Sequence, residues 1–202
     1  MEKNFNHEES LALINEMINR ARNNVQKEKR HSLFWGYLIA CTAITNSILL
    51  HVLDNPHYSF WVWLTMIPGY AVSFFMYRCT DRKAFVKTHI DKIGNIIWRG
   101  YGIGVAVFIF SIFFFAFQNS DFKVLSLINT IILVMIGICE FATACIYRYK
   151  SLYLSAVLFW VGAIICVFLP VDVQFIILAV CMILGFVVPG HILNHKTKKS
   201  HV

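Results

Sequence analysis

The sequence predicts an all-α membrane protein with six transmembrane helices, and three observations support this fold class. Hydrophobic residues make up 58% of the 202 residues, charged residues make up only 14%, and the mean hydropathy is +0.62. A soluble domain carries about 25% charged residues, so this chain has too few to cover a surface that faces water. The apolar runs are also long, which indicates that lipid surrounds most of the chain.

The first thirty residues precede the membrane part and are polar. Apolar side chains at steps of three and four predict one amphipathic helix with a single apolar stripe. The stripe consists of Leu11, Ile14, Ile18, Ala21 and Val25. Charged residues occur throughout this segment, so it is not a secretory signal peptide. We assign residues 1–30 to a cytoplasmic amphipathic helix, 31–195 to the transmembrane domain and 196–202 to a basic cytoplasmic tail.

Six apolar segments follow, and each has roughly the 17–25 residues that cross the hydrocarbon as a helix. Strands are excluded because open sheet edges cannot face lipid. Asp172 precedes the sixth segment and is expected to cap its N-terminus. The predicted spans are Leu33–Leu53, Ser59–Tyr77, Ile96–Phe117, Val124–Tyr147, Leu152–Leu169 and Val173–Asn194.

The positive charges predict how the chain sits in the membrane. Seventeen of the eighteen Lys and Arg residues lie in the N-terminal segment, around the second and fourth connectors, or in the tail. Only Lys123 lies near one of the other connectors. Basic residues stay on the cytoplasmic side, so both termini are expected in the cytoplasm. Topology therefore explains the net charge of +7, and no direct nucleic-acid partner is predicted.

Three similar phrases at the odd-numbered spans suggest an internal repeat. They are Phe34–Tyr37, Trp98–Tyr101 and Phe159–Gly162, and their tryptophans are 63 and 62 residues apart. Such a repeat would place three helical hairpins in tandem, related by an axis along the membrane normal. The alternative is that aromatic residues simply gather at membrane interfaces.

Glu140 is the only acidic residue well inside a predicted span and is the first candidate for a functional site. An ionised carboxylate is costly in lipid, so its side chain should face the bundle interior and either find a partner or stay protonated. Arg99 and His191 lie toward the same side of the membrane and complete a candidate intramembrane polar site. A proton- or cation-coupling carboxylate is one interpretation, and a structural ion pair with Arg99 is the other.

Two Pro-Gly pairs, Pro68–Gly69 and Pro189–Gly190, interrupt the second and sixth spans. Proline has no N–H, so the first pair frees the carbonyl of Leu64 and the second frees that of Gly185. Broken helices in corresponding positions can line the cavity of a transport site. More often such prolines are kinks that improve packing.

No motif supports an enzyme, a metal site or a cofactor. His191 and His195 are four residues apart, a spacing that can hold a metal, but interfacial histidines that face water are the better interpretation. The chain has no P-loop, no Gly-x-Ser-x-Gly and no CxxC motif, so enzymatic activity has no positive support. Five of the six cysteines lie in apolar runs and are interpreted as reduced, small apolar residues.

Five stretches spread over most of the chain carry a further signal. They are Glu9–Arg22, Phe34–Gly36, Ile67–Tyr70, Val86–His89 and Val188–Asn194. Together they resemble an uncharacterised family of small bacterial multi-pass inner-membrane proteins. The resemblance implies a bacterial inner-membrane location, but no activity and no functional residues. Members of that family are often encoded beside a winged-helix regulator, which implies a shared regulatory task.

We expect a non-enzymatic integral membrane protein, a sensing or scaffold module that couples a membrane state to a cytoplasmic partner. The lipid bilayer is its first partner, and a cytoplasmic protein or a second copy would meet the N-terminal helix or the Arg78–Lys92 connector. The alternative is a small transporter or channel for a solute or ion, with its acidic site at Glu140. A transporter needs a polar cavity at mid-depth that includes Glu140, whereas a module can be packed solid there.

Overall fold

The computed structural model describes residues 7–53, 56–81, 89–120, 122–147 and 150–191, and within them it contains helices and no strand. Six helical stretches are long and apolar enough to cross a membrane, which confirms the predicted class of an all-α multi-pass membrane protein. The six spans are Arg30–Val52, Tyr58–Met76, Ile93–Asn119, Lys123–Tyr147, Lys150–Val167 and Val171–His191.

The α-helices are named in chain order. They are α1 (His7–Val52), α2 (Met66–Asp81), α3 (His89–Asn119), α4 (Leu127–Tyr147), α5 (Lys150–Val167) and α6 (Val171–Met182). Two 3₁₀ segments, Pro56–Thr65 and Phe122–Ser126, precede α2 and α4. A π-helical segment, Ile183–Val187, continues α6, the chain stays helical to His191, and the name α6 covers this whole stretch from here on. Residues 82–88 of the second connector and the tail beyond His191 lie outside the described residues.

Helix α1 is one continuous helix of 46 residues, from His7 to Val52. At 1.5 Å per residue it is about 69 Å long, roughly twice what its membrane span requires. The predicted boundary at residue 30 is therefore not marked by a break in the helix. The side chains of residues 7–29, which include the predicted apolar stripe, lie outside the described part of the structure.

The second span is divided between two helix types. Residues Pro56–Thr65 form a 3₁₀ helix and α2 begins at Met66, so Pro68 is the third residue of the α-helix. Proline is tolerated in the first turn of a helix, and the change of helix type falls where its missing N–H does least harm. A 3₁₀ helix rises about 2.0 Å per residue, so the ten-residue segment is longer than the same residues in an α-helix.

Helices α1, α4, α5 and α6 form the centre of the bundle. The most extensive contacts join α4 to α5 and α1 to α6, while α2 packs on α1 and α3 packs on α4. Half of the most apolar stretch of the sixth span is buried, against 11% for the third span, so α3 lies at the edge. Small residues let the central helices approach closely. The buried core includes Ala40, Ala43, Leu133, Ile136, Phe159, Ala163, Leu178 and Met182.

The order of these contacts bears on the predicted hairpins. The junctions of α4 with α5 and of α6 with α1 are extensive, whereas α2 and α3 form no comparable junction in the described part of the chain. The larger contacts link the helices in the order α2, α1, α6, α5, α4, α3, and Trp98 of α3 also reaches Phe186 of the π-helical segment, with ring centroids 6.0 Å apart. The repeat stays a prediction. Its three tryptophans contact different elements: Trp35 contacts α2, Trp160 contacts α4 and Trp98 contacts the π-helical segment.

Helices α1 and α6 run antiparallel and touch at both ends. The Ser47 hydroxyl donates to the carbonyl of Asp172 at 3.0 Å. At the other end, the Tyr37 hydroxyl and Nε2 of His191 are 2.9 Å apart. We call the end that holds Tyr37 and His191 the terminal end of the bundle, and the end that holds Asp172 the far end.

The cap predicted for the sixth span is wrong. Helix α6 begins at Val171, its N-cap residue is Pro170, and no side chain caps it. Asp172 lies in the first turn, because the helix begins two residues before the span that hydropathy alone indicates. A carboxylate in that position still interacts favourably with the positive end of the helix dipole.

Candidate functional site

Glu140 lies on the buried face of α4. This face carries Leu133, Ile136, Gly137 and Thr143 as well, at the helical spacing that places residues on one side. The Glu140 side chain is 3% exposed. Very little of the side chain is therefore open to solvent, and the carboxyl faces the bundle interior.

The neighbouring helix at the depth of Glu140 is α5. The rings of Phe141 and Tyr153 are 5.6 Å apart, and Gly137 lies against the indole of Trp160. Because α4 and α5 are antiparallel, these two contacts place Glu140 at about the depth of Ser155.

Ser155 joins α5 to the sixth span at the carbonyl that the sequence identifies as free. Its hydroxyl lies 2.9 Å from the carbonyl oxygen of Gly185 and 3.2 Å from that of Ser151 in its own helix. Gly185 is the residue four before Pro189, so its carbonyl has no α-helical donor. A lipid environment offers no water to replace that donor, and the serine of a neighbouring helix supplies it.

Arg99 lies at the depth of Glu140 but on a different surface. A Cβ on Gly104 would lie 2.8 Å from Cε of Met135, so α3 and α4 touch there. Arg99 is five residues before Gly104 and Glu140 is five after Met135, which sets both at one level in an antiparallel pair. The Arg99 side chain is exposed, and no ion pair joins it to Glu140 within the described residues.

His191 lies nearer the terminal end than Glu140 does. It is six residues beyond Gly185, or about 9 Å along the helix. Its ring is exposed and meets Tyr37 of α1, with ring centroids 6.2 Å apart in addition to the hydrogen bond. The three residues of the candidate polar site are thus on three surfaces, and no hydrogen bond or ion pair among the described residues joins them.

The two Pro-Gly pairs differ in their surroundings. Gly69 faces α1, where an added Cβ would lie 2.5 Å from Cδ2 of Leu38, and Gly190 faces Leu33 of the same helix, at 2.8 Å from its Cδ2. The absence of a side chain at both glycines therefore lets α1 leucine side chains pack directly against the backbone. Near the first pair, the Thr65 hydroxyl donates to the carbonyl of Val62 at 2.7 Å.

Two of the buried amides near the far end are functional candidates that the sequence did not single out. Asn46 is fully buried, and neither atom of its amide has a hydrogen-bond partner among the described residues. The Gln174 amide donates to the carbonyls of Cys166 and Leu169, both at 2.9 Å, and so ties the start of α6 to the end of α5. The sequence could have identified both residues, since an amide within an apolar run is costly to bury and therefore notable.

The side chains around Glu140 pack α4 against α5. The Ser155 hydroxyl is occupied by backbone carbonyls, and no histidine or carboxylate within the described residues hydrogen-bonds to it. In the same part of the chain, no cluster of three His, Cys, Asp or Glu side chains could hold a metal ion. His195, the second histidine of the predicted pair, lies outside it.

Comparison of the chain with protein-family models, curated proteins and solved structures found no match. The resemblance to a bacterial inner-membrane family therefore stays a prediction. What can be stated plainly is that the chain is an integral membrane protein of six apolar helices.

Proposed function

We propose that this protein is a non-enzymatic membrane module that passes a conformational state of its bundle to a cytoplasmic partner through α1. The continuity of α1 over 46 residues carries the proposal. About 23 of these residues lie before the span, so a helical arm of about 35 Å continues from the membrane helix.

The coupling would begin in α6. This element holds a π-helical segment at Ile183–Val187, and such segments are rare and often lie at functional sites. An α1 glycine, Gly36, packs tightly on the segment, since an added Cβ would lie 2.9 Å from Cβ of Phe186. A shift of the π-helical turn along α6 would displace α1 at this contact, and a continuous helix would carry the displacement into its arm.

The charge distribution supports a cytoplasmic position for the arm and for both termini. On that orientation the arm meets a cytoplasmic protein or the arm of a second copy. The family resemblance favours a regulatory partner in a bacterial inner membrane. An amphipathic arm with one apolar stripe needs such a surface to bury it.

A small transporter with its acidic site at Glu140 is the second candidate, because Glu140 is a buried carboxyl within a span. Transport would require a second conformation that opens water access to it, since the present surroundings leave the side chain 3% exposed.

The test interrupts the helix without removing its residues. Gln26→Pro breaks an α-helix interior, and Gln26→Ala at the same position keeps it. Each allele would replace the native gene in its host, beside a strain that lacks the protein and one that lacks residues 2–29. We expect Gln26→Pro and the truncation to reproduce the transcript profile of the null strain, while Gln26→Ala matches the wild type. A truncated or interrupted arm that keeps the wild-type profile would show that α1 carries no signal.

A further inference from the structure

One face of α3 points away from the bundle and combines a cation with a narrow apolar strip. Its residues follow one another at steps of three and four, which places them on one side of the helix. We call these residues the α3 stripe: Arg99, Gly102, Ala106, Phe110, Phe113 and Phe117. Five of them are exposed and Gly102 is half-buried, whereas Ile112 and Ala116 of the same helix are buried.

Arg99 is an unusual residue for such a face. It lies six residues inside the span Ile93–Asn119, about 9 Å from its beginning. Its guanidinium forms no ion pair with any residue that the structure describes, although it is exposed and belongs to a stretch that is apolar enough to cross a membrane. A cation there must reach toward the interface and find an anion, because lipid hydrocarbon does not solvate it.

Beyond Arg99, the side chains of the α3 stripe are small at first and then large. An added Cβ on Gly102 would meet no atom within 4 Å, and Ala106 one turn later is also small and exposed. Phe110 follows and is 74% exposed. From Arg99 to Phe110 the helix rises about 16 Å, close to half of the roughly 30 Å hydrocarbon core.

We propose that the α3 stripe binds one anionic phospholipid of the leaflet at the terminal end. The phosphate accepts hydrogen bonds from the Arg99 guanidinium, whose fork of donors matches two phosphate oxygens. An acyl chain lies along Gly102 and Ala106 and ends against Phe110, over the depth of one leaflet.

A second copy of the chain is the other occupant that this face suggests, because small residues four apart often mark helix pairs. Charge disfavours it. In a symmetric pair of α3 helices that cross at Gly102 and Ala106, each Arg99 would lie one turn from the crossing point and face its own copy. Two like charges at membrane depth repel each other, whereas an anionic phosphate attracts either one.

The test measures lipid retention by the purified full-length protein in mild detergent. Native mass spectrometry counts bound lipid after addition of dioleoyl-phosphatidylglycerol or dioleoyl-phosphatidylcholine. We expect the wild type to retain the anionic lipid about fivefold better, the effect of one cation at the membrane surface. Arg99→Gln should bring this ratio near one. Lys150→Gln, which removes an exposed cation from the first residue of α5 at the same end, should leave the ratio unchanged.

A second variant keeps the cation and fills the strip. Ala106→Leu should lower the retention of both lipids at least twofold while preserving the preference for phosphatidylglycerol, and it decides the question if Arg99→Gln cannot be purified. Equal retention of both lipids by the wild type overturns the proposal, as does a loss of preference in Lys150→Gln as large as that in Arg99→Gln. A dimer that Ala106→Leu dissociates, with lipid retention unaltered, assigns the face to a second copy instead.

Discussion

Ser155 illustrates how one hydroxyl group compensates for a proline in a membrane helix. Pro189 cannot donate a hydrogen bond, so the carbonyl of Gly185 lacks its α-helical donor inside the bundle. The serine on α5 reaches that oxygen at 2.9 Å. Gly185 itself has no room for a side chain, because an added Cβ would lie 2.5 Å from Cζ of Phe159. Ser155 of α5 thus compensates for Pro189 of the sixth span, and Gly185 provides the space for the close contact.

Removal of this hydroxyl should destabilise the bundle. We expect Ser155→Ala to lower the free energy of unfolding by about 1–2 kcal/mol, since it leaves a buried carbonyl without its donor. The measurement is the unfolding midpoint in mixed micelles of a mild detergent and a denaturing one. Ser111→Ala is the matched control, because that exposed hydroxyl bonds only to Val107 of its own helix, and it should change stability by less than about 0.5 kcal/mol. Equal midpoints for Ser155→Ala and wild type would refute the interhelical role.

For Asn46 we expect the opposite effect, because its replacement should stabilise the bundle. Its amide is fully buried without a partner among the described residues, so it contributes a desolvation penalty and no hydrogen bond in this conformation. Asn46→Leu keeps the branched heavy-atom skeleton of the side chain, with two methyl groups in place of the amide oxygen and nitrogen, and should raise the free energy of unfolding by about 1–3 kcal/mol in the same assay. Thr42→Val is the comparison, because the Thr42 hydroxyl is bonded to Leu38 at 2.8 Å and its removal should not stabilise. A destabilised Asn46→Leu would mean that the amide is paired in solution.

At the level of elements, glycine separates the tight helix contacts from the loose ones. Gly36 on α1 and Gly100 on α3 each precede a tyrosine in the repeated phrases, yet their surroundings differ. A Cβ on Gly36 would lie 2.9 Å from Cβ of Phe186 and 3.0 Å from Cγ2 of Val187, while a Cβ on Gly100 would meet nothing within 4 Å. The α6 to α1 junction is therefore closed, and the corresponding place on α3 is open.

This difference predicts opposite effects of one substitution. Gly36→Ala should lower the free energy of unfolding by about 1–3 kcal/mol, because both neighbouring side chains would have to move. Gly100→Ala should leave stability unchanged or raise it by up to about 1 kcal/mol, since alanine favours a helix more than glycine does. Thermal unfolding in detergent, followed by circular dichroism, compares the two. Similar losses in both variants would mean that Gly100 is also in a close contact, as a closed ring of three hairpins would require.

The sequence predicts the positions of the helices better than it predicts which helices pack together. Hydropathy belongs to each stretch of chain by itself, so the six spans could be located from composition and length alone. The missing donor at Gly185 could be predicted because proline chemistry is local. That Ser155 supplies the donor could not, because it depends on the register between α5 and α6. The same limit applies to Arg99 and Glu140, whose common depth follows from spacing but whose faces depend on packing.

For the whole molecule, the long α1 helix and the buried Glu140 favour different functions. A module that signals through α1 needs a well-packed interior, so that a change in α6 reaches the arm without being absorbed. A transporter needs the same interior to open. The burial of Glu140 at 3% exposure describes a closed interior in this conformation. Access of the Glu140 carboxyl to water therefore distinguishes the two functions.

Proton flux distinguishes the two functions without knowledge of a solute. The protein would be reconstituted into liposomes that contain a pH-sensitive dye, and a potassium gradient with valinomycin would drive protons inward. On the signalling proposal, wild-type vesicles should acidify no faster than empty ones, and Glu140→Gln should be indistinguishable from wild type. Thr143→Ser on the same buried face is a control for the effects of substitution, since it keeps a hydroxyl for the bond of 2.7 Å to Cys139. If the wild type and Thr143→Ser conduct protons and Glu140→Gln does not, the carboxyl is a coupling group, and the transporter with its acidic site at Glu140 replaces the module as the function of this bundle.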